Sequence, residues 1–406
     1  MTFTIQKLGH LGDGIAEGPI FAPMTLPGEV IEGEVENGRI TAPKIVTPSP
    51  DRVKAPCRHF KACGGCTMQH AADPLVADWK AGIVQAALAA HGLTAPIRSV
   101  QTSPQQSRRR AVFSGRRTKK GALIGFHGRA SGTIVDLQEC SVVRPELLAL
   151  REAMAALVML GGSRKGEVSL TATSTLGGVD LAAENLHPLD AKLREEATAL
   201  GARAGLARLS WNGETVAEWH APVLAFGKAR VAPPPGAFLQ ATAEGEAALL
   251  ASVREAVGVA AQIADLFAGC GTFSLPLADQ AEVLAVEGEA EMLAALNKGW
   301  RAAQGVKRVE TVARDLFRRP LLPDELARFD AVVIDPPRAG AEAQVAELAR
   351  ADVDRIAYVS CNPQSFARDA AVLVGVGYHL AWIDVVDQFR WSPHVELAAS
   401  FTRNAG

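Results

Sequence analysis

Cysteine is scarce in this chain: six in 406 residues, at 57, 63, 66, 140, 270 and 361. So few thiols exclude a disulfide-stapled scaffold and raise the metal and catalytic roles of those present. Charge of one sign is also missing. Against 42 basic residues stand 44 acidic ones, a formal net charge of −2. Total charge therefore says nothing about a polyanionic partner, and only its local distribution can. No run of about 18 apolar residues occurs, so no membrane span is expected. The nearest approach, AAVLVGVGYHLAWI, is shorter and carries a histidine. MTFTIQKLGHLGDG at the start lacks the charged-then-apolar pattern of a secretory leader. A soluble, cytoplasmic protein is the expectation. Internal repeats and low-complexity tails are absent too. What is plentiful is hydrophobic residues, 48%, enough for large cores in the two or three domains that this length predicts.

Residues 1 to about 50 alternate short apolar runs with Gly and Pro turns, as in FTIQKLGHLGDGIAEG and EVIEGEVENGRITAPKIV. That rhythm predicts a small β-barrel. SPDRVKAP reads as a linker, and CRHFKACGGCTMQH as a cysteine-rich knot. DPLVADWKAGIVQAALAAHG has helical periodicity, with Asp73 as N-cap and Gly92 as stop. Strand-like RRRAVFSGRR, ALIGFHGRA and TIVDLQEC, with helical PELLALREAMAALVML and DAKLREEATALGARAG, make the middle a mixed α+β region. After VAPPPGAF, strands alternate with helices through AQIADLFAGCGTFSLPLA, AEVLAVEG, KRVETVARD, FDAVVIDPP and DRIAYVSCNP to YHLAWIDVVDQF and VELAASFTR. Such alternation predicts an α/β fold with a doubly wound, mostly parallel sheet. The expected units are 1–50, 51–234 and 235–406.

In such a sheet the ligand lies beyond the carboxyl ends of the strands. ADLFAGCGTF puts Asp265, Gly269 and Gly271 there, and Glu287 ends the next strand, where a carboxylate can accept both hydroxyls of a ribose. A dinucleotide fingerprint wants a third glycine where this chain has Ser274; S-adenosylmethionine has no pyrophosphate to cradle and needs none. Asp315 ends the third strand and reads equally as an adenine contact or a solvated loop acid. Asp335-Pro336-Pro337 ends the fourth, either a stiff exit that aims the aspartate at a substrate ring or a plain rigid turn. Cys361 closes the fifth strand at the same edge, which favours a nucleophile over core filling. Glu396 opens the last strand and is either a surface acid or a general base facing that thiol.

Cys57, Cys63 and Cys66 are spaced Cys-x5-Cys-x2-Cys, and Cys140 is the obvious fourth ligand for zinc or an iron–sulfur cluster. His59 and His70 keep a mixed zinc site open. Cys270 packs within the glycine loop. RRRAVFSGRRTKK carries seven basic residues and no acid: Arg108, Arg109, Arg110, Arg116, Arg117, Lys119 and Lys120. It reads as a guarded sheet edge or, with a barrel upstream, as a phosphate-binding surface for nucleic acid.

Together these segments resemble a known family. AVVIDPPRAG, IAYVSCNPQSFARD and HVELAASF are similar to the signatures of the RNA uracil-5-methyltransferases, and GAFLQ with DLFAGCGTFSLPLA to that family's S-adenosylmethionine segments. CRHFKACGGCTMQH with Cys140 resembles the cluster-bearing branch, which methylates 23S ribosomal RNA, and the N-terminal barrel resembles a TRAM domain. The likeness spans essentially the whole chain in order. It implies a class I methyltransferase sheet at the C-terminus, after the barrel and a central α+β domain holding a 4Fe-4S cluster on Cys57, Cys63, Cys66 and Cys140. It further implies Cys361 as nucleophile and Glu396 as base. Gln240, Phe267, Gly269, Gly271, Thr272, Glu287, Asp315 and Asp335 would contact S-adenosylmethionine. Phe238, Asp335, Arg108, Arg109 and Arg110 would contact RNA. Thr272 departs from the Asn of some relatives. A monomer acting on ribosomal RNA is expected; the alternatives are transfer RNA or a non-catalytic RNA-binding protein.

Overall fold

The computed structural model describes residues 1–403. The C-terminal half is built on an eight-stranded sheet. In spatial order its strands are Val309–Ala313, Glu282–Glu287, Gln262–Leu266, Ala331–Ile334, Arg355–Ser360, Glu396–Arg403, Tyr378–Asp387 and Ile97–Thr102. The chain reverses direction across the sheet between Gln262–Leu266 and Ala331–Ile334, which makes the gap between their carboxyl ends the ligand crevice. All neighbours are parallel except Glu396–Arg403, which runs antiparallel to both of its partners. AVVI at 331–334 is buried at all four positions, as expected of a parallel strand covered on both faces. One covering layer packs Phe366, Tyr358 and Phe401 with helix Pro363–Gly375, and the other packs Leu249 and Val253 with helix Ala243–Val257.

The middle of the chain forms a seven-stranded mixed sheet, in the order Glu214–Glu218, Leu206–Trp211, Gly178–Glu184, Val168–Thr175, Arg110–Arg117, Ala122–His127 and Ile134–Asp136. Helices Arg151–Gly161 and Ala191–Arg203 contribute Met154, Leu157 and Ala197 to its core. At the N-terminus five short antiparallel strands, ordered Ile20–Ala22, Gly14–Ala16, Thr2–Leu8, Val30–Glu32 and Lys44–Thr47, surround Ile5, Ala16, Ala22, Ile31 and Ile40. The edge strand is not left open. Phe21 N–H donates to the Gly38 carbonyl (2.9 Å) and Ile40 N–H to the Phe21 carbonyl (2.8 Å), which curls the sheet.

Three expectations are corrected. Residues 73–102 fall in the expected 51–234 unit, but Ile97–Thr102 pairs in parallel with Tyr378–Asp387, and Val84, Ala87 and Leu88 join the C-terminal core. The apolar stripe of helix Asp73–Ala89 needs a partner, and helix Pro363–Gly375 supplies it. Asp73 is the first helical residue, not the cap; Ala72 holds that place with no side-chain bond, and the helix ends at Ala89 before Gly92. The segment read as a linker is anchored: Arg52 Nη2 donates to Glu29 Oε2 (2.9 Å) and to the Met24 carbonyl (2.7 Å). No described helix is long and apolar enough to cross a membrane.

One buried ion pair ties the helix to the edge of the sheet. Lys80 and Asp387 are both fully buried and bonded to each other, and Lys80 Nζ also donates to the carbonyls of Phe389 (3.2 Å) and His394 (2.9 Å). Burial lowers the lysine pKa and raises that of the aspartate, so desolvation outweighs their attraction. Lys80→Ala should therefore destabilise the protein by roughly 3–5 kcal/mol, because Asp387 would stay buried without a counter-charge. Replacing both by apolar residues should recover most of that loss; chemical denaturation of the single and double variants measures it.

Candidate active site

The carboxyl edge of the large sheet opens into a cavity of about 650 Å³. The strand ending at Leu266 passes into the glycine loop through Phe267, whose φ of +64° is rare for a bulky residue. Gly269 N–H donates to Glu287 Oε2 (3.0 Å), while Glu287 Oε1 accepts from the backbone of Gly288 (2.6 Å) and Glu289 (3.0 Å). One carboxylate thus shapes the loop on either side of the crevice. Ser274 Oγ donates to Asp265 Oδ2 (2.5 Å), and burial pushes Asp265 up to about 7. Asp265 is fully buried beneath the loop and does not line the cavity.

Cys361 lies at the end of its strand, half-buried, on the cavity wall. Asn362 caps the next helix through Gln364 N–H (3.1 Å), and Pro363 is the first helical residue. The Asn362 side-chain amide also donates to the Arg338 carbonyl (2.8 Å), as does Ser365 Oγ (3.1 Å). The cysteine loop is thereby stitched to the Asp335-Pro336-Pro337 loop. Burial, then the Glu396 and Asp335 carboxylates, push the thiol up to about 11, and Arg338 opposes them.

Glu396 is the first residue of the reversed strand, so it arrives at the edge where the parallel strands end. Ser360 faces Leu397 on one side and Val386 faces Glu396 on the other. Glu396 is 2% exposed, and burial pushes its carboxyl up to about 7. Asp335 is raised well above the usual carboxylate range by burial first and by Glu396 and Asp265 next. A chain of amides joins the two: Gln240 Nε2 to Asp335 Oδ2 (3.4 Å), Gln388 Nε2 to Gln240 Oε1 (2.5 Å) and Gln388 Nε2 to Glu396 Oε2 (2.8 Å).

Most expected site residues converge here. Phe238, Gln240, Phe267, Gly269, Thr272, Glu287, Asp315, Asp335, Cys361 and Glu396 all line this one cavity. Gly271 does not. It turns the chain at φ +92°, and a Cβ there would lie 2.9 Å from Leu275 and Leu296, so packing explains the glycine. The arginine triplet also has other work. Arg109 is buried against Glu246 and donates to the Gln240 carbonyl (3.2 Å). Arg110 donates to the carbonyls of Gly236 (2.9 Å) and Ala237 (3.0 Å), and Arg108 lies over the Phe389 ring at 5.2 Å. Arg109 and Arg110 brace the segment that carries Phe238 and Gln240. Arg116, Lys119 and Lys120 are the exposed members of the basic run, and Arg116 is paired with Glu167 (3.1 Å). Gln388 was missed by sequence reasoning. A polar pair, Asp387-Gln388, closing an apolar strand is the same signal that singled out Asp335 and Cys361.

A second cavity, about 300 Å³, is lined by Cys57, Cys63, Cys66 and Cys140 together with Phe60, Arg108 and Phe389, and it shares Phe238 with the first. Gly65 N–H points at Cys63 Sγ (3.4 Å), and Val142 N–H (3.4 Å) and Val143 N–H (3.5 Å) at Cys140 Sγ. Burial pushes Cys66 up to about 12 and raises the other three thiols. Among the described residues, no three His, Cys, Asp or Glu side chains converge closely enough to hold a metal ion. His70 is buried beside Phe60 with neither ring nitrogen bonded, and burial holds its pKa down at about 4.

A glycine loop at the switch point, an acid ending the neighbouring strand and a cavity between them are the layout expected of a class I S-adenosylmethionine-dependent methyltransferase. The sequence model of the tRNA (Uracil-5-)-methyltransferase family matches residues 230–404. An uncharacterized RNA methyltransferase of Brucella suis biovar 1 is 44% identical over 98% of this chain and 97% of its own. The 23S rRNA (uracil(1939)-C(5))-methyltransferase RlmD of Shewanella amazonensis is 32% identical over 98% of this chain and 94% of its own. In fold, the crystal structure of the Pyrococcus abyssi tRNA (uracil-54, C5)-methyltransferase with S-adenosyl-L-homocysteine superposes with a TM-score of 0.78 at 23% identity, covering 99% of this chain and 100% of that one. The chain belongs to the RNA uracil-5-methyltransferase family, and S-adenosylmethionine is its methyl donor.

Glu287, which the family resemblance implies meets S-adenosylmethionine, gives that expectation a direct test. Glu287→Gln turns one acceptor oxygen into an N–H donor facing backbone N–H groups. S-adenosylmethionine should bind on the order of tenfold more weakly or worse, as befits a lost charge-assisted hydrogen bond. Calorimetric titration without RNA measures it.

Proposed function

We propose that this protein methylates carbon 5 of a uridine in 23S ribosomal RNA through a covalent Cys361 adduct. The observation that carries the reading is the arrival of Cys361 and Glu396 at one cavity from strands that run in opposite directions. The relative that covers nearly the whole chain and is named for ribosomal RNA supports that substrate. Carbon 5 of uracil is too weak a nucleophile to take a methyl group unaided. Cys361 gives up its S–H proton to solvent, its Sγ anion adds to carbon 6, a conjugate-addition position, and the displaced π pair makes carbon 5 enolate-like. S-adenosylmethionine supplies the electrophilic methyl. Asp335, whose carboxyl burial and the neighbouring acids raise well above the usual range, is suited in its neutral form to donate a hydrogen bond where a ring carbonyl gains charge. Glu396 then takes the proton from carbon 5, the 5,6 double bond re-forms and Cys361 leaves as thiolate. The base must reach a ring atom hidden in a stacked helix, so the target uridine is flipped out or already unpaired.

The four cysteines line one cavity of about 300 Å³, and this lining is what supports a 4Fe-4S cluster there. Bound there, it would hold the knot as a structural or RNA-positioning element and take no part in methyl transfer. Residues 1–50 are read as a TRAM-like barrel for RNA. The remainder divides into a central unit and a methyltransferase unit that recruits residues 73–102.

RNA carrying 5-fluorouridine has no removable proton at carbon 5 and should trap a covalent complex. Cys361→Ala should form none, and its absence from the wild type would defeat the mechanism. Glu396→Gln should accumulate methylated adduct, with turnover reduced about 10²–10⁴-fold. Elimination needs the Glu396 anion, so its rate should rise with pH through about 7 and level off above it. Anaerobically purified protein should contain iron and sulfide; stoichiometric zinc without iron would contradict the cluster assignment.

A further inference from the structure

The structure assigns Gln388 as the positioning residue that orients the Glu396 carboxylate and holds it as acceptor of the substrate proton. This rests on the proposed role of Glu396 as base. A backbone group settles the orientation of every amide involved. Ala241 N–H can only donate, and it meets the Gln388 side chain at 2.6 Å, so the atom there is the acceptor Oε1. The other end of Gln388 is therefore NH2. Its two hydrogens go to Gln240 Oε1 (2.5 Å) and Glu396 Oε2 (2.8 Å), leaving none spare. Gln240 in turn must present its own NH2 to Asp335.

The consequence falls on Glu396. Its Oε2 accepts the Gln388 N–H, which fixes the rotation of the carboxylate at the cavity wall. Elimination then balances: the C5–H bond breaks, its proton goes to the Glu396 carboxylate, its electron pair forms the 5,6 double bond, and the C6–S pair returns to Cys361. The same N–H favours the anion of a carboxyl that burial otherwise keeps protonated. The charged and titratable groups that bear on this network are Asp335 and Cys361, with Arg338 beside the thiol.

Gln388 cannot easily swing away. One ammonium, Lys80, holds the residues on both sides of it, through the Asp387 carboxylate and the Phe389 carbonyl, and also holds His394, two residues before Glu396. On the far side, the Thr67 and Met68 N–H groups donate to the Trp391 carbonyl (2.7 and 3.0 Å). The loop from Gln388 to Glu396 is pinned from two elements.

Gln388→Met removes both donors at similar volume, and Gln388→Leu removes them with a shorter apolar side chain. In each variant we expect the trapped complex with 5-fluorouridine RNA to form near the wild-type rate. The acid limb of turnover on unmodified RNA should move up by about one pH unit or more, the scale of a hydrogen bond to a charged group. Methylated adduct should accumulate at pH 7 and be released as the pH is raised, with KM little changed. An unmoved limb, or adduct formation lost in step with turnover, overturns the assignment and leaves Gln388 a packing residue. Should Gln388→Met fail to fold, Gln388→Leu carries the same readout. Failure of the wild type to form the trapped complex would instead sink the proposed chemistry, and this assignment with it.

Discussion

Everything at this site depends on one reversed strand. A parallel sheet gathers only the carboxyl ends of its strands at the ligand edge, and so offers Asp335, Cys361 and Gln388 from ends alone. Glu396–Arg403 enters antiparallel between two of those strands and brings its first residue to the same edge. Period-two alternation makes the register unforgiving, since a slip of one residue would turn the acid to the other face. The short loop from Gln388 to Glu396 is what allows the reversal. Lys80 and the Trp391 carbonyl are the points at which the rest of the protein holds that loop.

Desolvation is the second theme. Two carboxyls and a thiol share a cavity wall, and burial moves all three towards their neutral forms. Left alone, such a group of like charges would be costly to fold around. The amide chain through Gln240 and Gln388 lets the acids be satisfied without adding a positive charge that would lock them as anions. A base poised near neutrality and an acid able to donate are what proton removal beside a charge-developing ring requires. The cysteine-lined cavity touches this one through Phe238, which lines both, and the arginines between them hold the segment on which Phe238 sits.

Much of this was legible in the chain itself. Buried parallel strands read as continuous apolar runs, and a polar residue that ends such a run has few places to go but the crevice. That logic found Glu287, Asp335 and Cys361 without a structure. It overlooked Gln388 although the same signal was present, because an amide has no reactivity of its own to attract notice. The arginine triplet misled in the opposite direction. Clustered charge reads as an exposed surface, whereas Arg109 is buried in a pairing with Glu246, a residue 137 positions away that no local pattern could have matched to it.

The sequence by itself determined the class of fold, the glycine loop and the candidate chemistry, because those follow from local periodicity and from residue types whose reactivity is intrinsic. Tertiary structure alone decided which groups meet. It drew Ile97–Thr102 and its preceding helix into the C-terminal sheet, assigned Gly271 to packing, and brought four cysteines from two distant segments around one cavity. It also let a backbone N–H at Ala241 set the direction of a hydrogen-bond chain that ends at the proposed base. Contacts of this kind join residues far apart in the chain, and their energies come from burial and donor–acceptor matching that no short window of sequence contains.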